Sequence, residues 1–199
     1  TLQELSGEGH QIISADLSME KDRTRLIDNL PKLDGLVQCA GVGSRVPCKM
    51  IGKDDLEHVF VPNVEAPILL QTELLAKKKI NKSSSIVFIA SKAASFPSIG
   101  NAAYSASKGA IISYAKCLAL ELAPRQIRVN CICPAMVWTD LIIQGGISKE
   151  DLDEAQLKYP LKRYGKPEDI AYLAIYLLSD ASSWMTGTCV DITGGAKEL

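Results

Sequence analysis

The stretch SIVFIASKAASFPSIGNAAYSASKGAIISYAKCLALELAPRQIRVNCIC, residues 85–133, decides the fold. It opens on SIVFIA (85–90), an apolar run without polar alternation, as expected of a strand covered on both faces. It continues through Tyr104–Leu122, where Ala, Ile and Leu repeat on one broad face. It closes on RVNCIC (128–133), a second run of the same kind. Strand, amphipathic helix and strand in this order indicate parallel strands joined by a crossover helix.

The same alternation extends outward. HQIISA (10–15), GLVQCA (35–40) and CVDIT (189–193) read as further strands. Glu20–Asn29 reads as a helix with Leu26 and Ile27 inward, ending near Pro31. Asp54 to about Ile80 reads as one long helix, and Lys77–Lys79 with Lys82 as its cationic C-terminus. Pro167–Leu178 begins with proline in its first turn and acids just after, a strong start signal. The expected class is α/β, a doubly wound parallel sheet with helices on both faces, in one domain spanning residues 1–199. The stretch 139–166 stands apart, with Gly145–Gly146, a short acidic segment and Pro160 between a strand and a helix. Loops leaving the C-terminal ends of parallel strands build the sites of such folds, so 139–166 is expected to be a substrate-side loop.

Composition narrows the function. The net charge of −1 and pI near 6.1 argue against nucleic acid as the main partner, because phosphate binding calls for a basic excess. No apolar run has the length of a membrane span, and the opening TLQELSGEGH lacks the basic start of a secretory signal. Cys39, Cys131 and Cys133 fall in apolar runs and read as small core residues. Cys131 and Cys133 would share a strand face, but without a second ligand pair no metal site is expected. Reduced thiols point to a cytoplasmic setting.

The chemistry concentrates in the opening stretch. Tyr104 and Lys108 stand four apart on a helix and share a face. A phenol is a poor acid or base at neutral pH, and a nearby ammonium would favour the phenolate. Ser91 ends the strand before that helix, where its hydroxyl could hold a carbonyl or alcohol oxygen. Taken alone, a Tyr and a Lys at this spacing are more often a half-buried ring beside a snorkelling lysine.

Taken with the rest of the chain, the pattern resembles the short-chain dehydrogenase/reductase family, and within it the bacterial 3-oxoacyl-carrier-protein reductases. Asp16-Leu17 resembles the acidic position that meets the adenine amino group. CAGVG at 39–43 is similar to the N-N-A-G turn that passes the adenine ribose, which brings in Cys39, Ala40 and Gly41. Asn63 stands where the family keeps an asparagine that holds a relay water, and Ser91 lies thirteen before Tyr104, the family spacing. Pro134–Thr139, with Ala135 and Val137, resembles the P-G-x-x-x-T loop against the nicotinamide and phosphates, and the tail from Arg163 to Gly195 resembles the last helix, T-G turn and strand.

The resemblance implies hydride transfer between NAD or NADP, with NADP slightly favoured, and a small carbonyl or alcohol such as a 3-oxoacyl thioester. Ser91 would orient the oxygen, Tyr104 would move the proton, Lys108 would lower the tyrosine pKa and hold the nicotinamide ribose, and Asn63 would link Lys108 to solvent. The helices of Asn63 and Tyr104, and the final helix and strand, resemble family interfaces of a homotetramer, with a homodimer as runner-up.

The sequence departs from the family in four places. No T-G-x-x-x-G-x-G loop precedes Asp16, so the Rossmann-type sheet is expected to be incomplete at its N-terminus, and the natural polypeptide longer by about fifty residues. A truncated, non-catalytic scaffold is the alternative. Gln38 and Cys39 replace two asparagines, Ala135 replaces a glycine, and Pro62 precedes Asn63 inside a helix that it should kink.

Overall fold

The computed structural model describes residues 5–143 and 146–196, so Gly145 lies outside the described residues. In chain order the elements are α1 (Glu20–Asn29), β1 (Leu33–Gln38), α2 (Lys53–Phe60), α3 (Ala66–Ala76), β2 (Ile80–Ile89), α4 (Ala102–Leu122), β3 (Arg128–Pro134), α5 (Asp140–Ile143), α6 (Lys149–Gln156), α7 (Pro167–Leu178) and β4 (Cys189–Ile192). The four strands form one parallel sheet in the order β1-β2-β3-β4, with Phe88 opposite Cys131 and Cys131 opposite Cys189.

Side chains alternate across this sheet, and both faces are covered. Ile86, Phe88 and Cys131 face Leu74 of α3 and Ile111 and Leu118 of α4. Val87 and Ile132 face the other way, onto Ala174 and Leu177 of α7. Burial on both sides is why β2 and β3 read as continuous apolar runs rather than alternating ones. It also fixes chirality. The crossovers β1–β2 and β2–β3 lie on one face, whereas α7 between β3 and β4 lies on the other while the strand order advances the same way. The last crossover therefore has the opposite hand to the first two, an exception to the usual right-handed rule.

Several expectations are corrected. Residues 10–15 form no strand and are mostly exposed, with Ile12 at 61%. No strand among the described residues lies beside them, so their backbone has no ladder to join. The helix expected from Asp54 to about Ile80 is broken into α2, a π-helical turn at Val61–Glu65, and α3, and Ile80 begins β2 instead. Pro62 is the physical reason. It has no N–H to donate, and in the wider turn Ala66 N–H bonds to Val61 O, five residues back. Finally, β1 ends at Gln38, which leaves Cys39 exposed rather than buried in a strand, whereas Cys131 and Cys133 are core residues as expected. Lys77–Lys79 do follow the end of α3, with Lys78 in a left-handed conformation and Lys77 paired with Asp28 of α1 at 2.6 Å, but Lys82 lies in β2 rather than at a helix end.

Candidate active site

Ser91, Tyr104, Lys108, Asn63 and Gly41 come from four separate segments, Tyr104 and Lys108 sharing α4, and meet at the C-terminal end of β2. Ser91 is the second residue beyond that strand. Its Oγ accepts from Ala93 N–H at 3.1 Å, and the Ser91 side chain is near enough to Tyr104 to lower the pKa of its phenol. Lys108, one turn along α4 from Tyr104, is buried, with its Nζ 5.7 Å from the Tyr104 ring centroid and donating to Ile89 O at 2.9 Å. The lysine thus ties α4 to the strand end that carries Ser91.

Asn63 is 2% exposed and uses its whole amide. Oδ1 accepts from Val42 N–H at 2.8 Å, while Nδ2 donates to Val42 O at 2.9 Å and to Ser107 Oγ at 3.1 Å. The side chain therefore clamps the 39–43 turn to α4. The π turn aims it there, so the proline kink helps to place Asn63. Gly41 completes the junction: a Cβ there would stand 3.0 Å from Asn63 Oδ1 and 3.3 Å from Lys108 Nζ. Only a residue without a side chain lets the turn come this close.

Burial sets the electrostatics. It pushes the Tyr104 phenol above its ordinary value, and the Ser91 side chain offsets this in part. The lowering expected from Lys108 thus does not dominate here. Burial also lowers the Lys108 ammonium, opposed by nearby Cys39, Cys131 and Cys133.

Of the expected cofactor residues, Cys39, Ala40 and Gly41 follow β1 and Pro134 closes β3, at the C-terminal ends of the strands, whereas Asp16 and Leu17 precede α1. Asp16 is exposed, and its Oδ1 accepts from Ser18 N at 3.0 Å and Ser18 Oγ at 2.6 Å, which holds its pKa low. Leu17 O accepts from Arg23 Nη1 at 2.9 Å. Ala40 is exposed beside Gly41. Gln38, in the place of an asparagine, donates to Pro67 O at 3.2 Å. Pro134 ends β3, Ala135 N–H donates to Ile192 O at 3.0 Å, and Val137 bridges Gly165. Thr139 O accepts from Ile142 and Ile143 N–H at the start of α5.

In the 139–166 segment, Leu141 lies where a Gly43 Cβ would meet its Cδ1 at 3.3 Å, so α5 rests over the 39–43 turn. A cavity of about 310 Å³ lined by Trp138, Ile143, Ile147, Lys149 and Leu152 opens behind it. Trp138 packs on Tyr164 with ring centroids 5.4 Å apart, whereas Trp184 is 98% exposed. Reading the sequence missed Arg23, Val42 and Ser107, whose contacts span too many residues to leave a local signal.

The chain is similar to known proteins in sequence and in fold. The family model described as enoyl-(acyl carrier protein) reductase matches residues 1–197. The 3-oxoacyl-[acyl-carrier-protein] reductase FabG of Rickettsia felis is 31% identical over 188 residues, covering 94% of this chain and 77% of the relative. The chain is a short-chain dehydrogenase/reductase. Dehydrogenase/reductase SDR family member 4 of Homo sapiens is 33% identical over 198 residues, 96% of this chain and 71% of the relative. A solved short chain dehydrogenase family protein from Francisella tularensis superposes with a TM-score of 0.86 at 36% identity, covering 96% of this chain and 83% of that one. As a member of this family the protein is an NAD(P)-dependent oxidoreductase acting on a small molecule, and the scaffold alternative is not favoured. Enzymes of the family are generally oligomeric. Among the described residues no helix is long and apolar enough to cross a membrane.

Proposed function

We propose that the protein interconverts a carbonyl and an alcohol with Ser91, Tyr104 and Lys108 as its catalytic residues and Asn63 as the clamp of the site. The observation that carries this reading is the Lys108 ammonium 5.7 Å from the Tyr104 ring centroid and bonded to Ile89 O, at the strand end that carries Ser91. A substrate oxygen within reach of both hydroxyls is oriented by Ser91 and exchanges a proton with Tyr104 O–H. Lys108 holds a positive charge next to the phenol, which favours the phenolate each time the proton leaves. Asn63, by fixing Val42 to α4, keeps the 39–43 turn against the lysine.

The residues present fit a dinucleotide. The missing Cβ at Gly41 lets the backbone pass close beside Lys108, and Asp16 offers an exposed carboxylate. Asp16, Leu17, Cys39, Ala40, Gly41, Lys108 and the loop Pro134, Ala135, Val137 and Thr139 would hold NADP or NAD, with NADP slightly favoured by likeness to the family. Bound there, the nicotinamide supplies or accepts the hydride. A 3-oxoacyl thioester is the substrate class suggested by the name of the Rickettsia relative. Residues 139–166 form the substrate-side loop of a single domain, and the assembly is a homotetramer or homodimer. None of the six cysteines is in a disulfide, which suits a reducing, cytoplasmic compartment.

The test is Tyr104→Phe, assayed by loss of reduced-nicotinamide absorbance with a 3-oxoacyl thioester. Turnover should fall at least about 100-fold while the fold and the unfolding midpoint are kept. A variant that retains full rate removes Tyr104 from the mechanism.

A further inference from the structure

Ser91 needs an anchor on each side to keep its hydroxyl against Tyr104. Upstream the sheet provides one: Ala90 N–H bonds to Ile132 O at 2.8 Å, and Ile89 O accepts from Lys108. Downstream the chain leaves the sheet at once. A turn at Lys92–Ala94 leads to exposed Phe96 and Ile99, 39% and 98% accessible. This turn is wound round Lys92. The Lys92 carbonyl accepts from Ser95 N–H at 3.0 Å, Phe96 N–H at 2.9 Å and Ser95 Oγ at 3.2 Å. Its ammonium pairs with the Asp191 carboxylate on β4 and lies 4.3 Å from the centroid of the Phe96 ring. The Lys92 side chain is only 14% exposed, whereas the Asp191 side chain is 48% exposed, so it is the lysine that the surrounding chain holds in place.

We propose that Lys92, held by Asp191 on β4 and by the Phe96 ring, is a positioning residue that fixes the turn after Ser91 and so the aim of the Ser91 hydroxyl at Tyr104. Lys92 and Asp191 touch neither Tyr104 nor Lys108 through any hydrogen bond or ion pair of the described residues, so their influence runs through Ser91. The inference rests on the reading of Ser91 and Tyr104 given above. It adds that β4, from 99 residues further along the chain, sets the geometry of the site.

The phenol of Tyr104 reports the placement of Ser91 without substrate or cofactor, because burial raises its pKa and Ser91 acts to lower it. We would label the tyrosine rings of the full chain with carbon-13 and follow the Tyr104 titration by NMR. Ser91→Ala is the reference and should shift the Tyr104 titration upward. Lys92→Met and Asp191→Asn should each shift it in the same direction, the double variant no further than either alone, and Lys92→Arg should restore it. Turnover should then fall about 10- to 100-fold in Lys92→Met, with more of the effect in kcat than in the KM for the nicotinamide cofactor. If Ser91→Ala shifts the titration while Lys92→Met and Asp191→Asn leave it unchanged, the positioning role is wrong and the site reading stands. If Ser91→Ala itself leaves the titration unchanged, Ser91 and Tyr104 are not coupled and both readings fall. Equal loss of stability in all variants without any shift in Tyr104 assigns Lys92 to the fold alone and also overturns the proposal.

Discussion

Replacing Asn63 by alanine tests the junction on which the site is built. The substitution removes three hydrogen bonds, two to the Val42 backbone and one to Ser107 Oγ, at lengths of 2.8, 2.9 and 3.1 Å. A hydrogen bond of this kind contributes about 1 kcal/mol net, and a buried group left without a partner costs about 1–3 kcal/mol. Val42 would lose a partner for its N–H and another for its C=O, and at 2% exposure Asn63 leaves little room for water to replace them. The loss should come to about 3–4 kcal/mol, a large share of the roughly 5–15 kcal/mol that holds a domain together. In a chain of this size each kcal/mol lowers Tm by about 2–4 °C, so a fall of about 6–16 °C is expected. Urea unfolding followed by far-UV circular dichroism measures the free energy, and a thermal scan measures Tm. Ser107→Ala is the control. It removes only one Asn63 bond, together with the Ser107 Oγ bond to Tyr104 O at 2.7 Å, and should cost about 1–2 kcal/mol. An Asn63→Ala variant within about 0.5 kcal/mol of the parent would refute the clamp, as would a Ser107→Ala loss as large as that of Asn63→Ala.

Two further substitutions probe other parts of the frame. Arg23 is 4% exposed, pairs with Glu73 at 2.8 Å and donates to Leu17 O and Ser18 O, so it ties the Asp16–Leu17 turn to α3. Arg23→Ala leaves Glu73 and two carbonyls without their partner; it should cost about 3 kcal/mol in urea and weaken NADPH binding measured by calorimetry. Burial pushes the Tyr159 phenol up to about 12, so its stabilising contribution is complete below the ordinary value of 10.0 and is lost as pH rises through about 12. Tyr114 and Cys133, also raised to about 12 by burial, act with the same sign. Urea midpoints should therefore fall with pH over that window, less steeply in Tyr159→Phe, and an unchanged slope would show that Tyr159 does not contribute.

What the sequence made legible were features whose physical cause is local. Pro167, Glu168 and Asp169 marked the start of α7, and Asp169 Oδ2 does accept from Lys166 N–H at 2.8 Å in the first turn. The two-sided burial of β2 and β3 appeared as apolar runs because it is a property of each residue in turn. Pro62 signalled a disturbance, but not that the helix would answer with a π turn and place Asn63 on Val42, since that outcome depends on a partner 21 residues away. Residues 10–15 carry strand-like residues, yet a strand is a relation between two segments, and no neighbour accompanies this one among the described residues. Arg23–Glu73 and Lys92–Asp191 were invisible for the same reason: each pairs ordinary charged residues across 50 and 99 positions.

The environment of the tyrosine was also beyond the sequence, and it determines which proton state the site holds at rest. The spacing of Tyr104 and Lys108 suggested an ammonium that lowers a phenol. In the structure both groups are buried at the end of β2, and burial acts on them in opposite directions, raising the phenol and lowering the ammonium. Burial thus favours the neutral phenol and works against the ammonium beside it. A phenol held above its ordinary value stays protonated throughout the neutral range, which suits a group that gives its proton to a carbonyl oxygen. Working in the other direction, the same tyrosine must first lose that proton, and only the Ser91 hydroxyl and the Lys108 charge are placed to make the phenolate bearable. Because reduction and oxidation pass through the same transition state, loosening the Ser91 turn should slow carbonyl reduction and alcohol oxidation by the same factor.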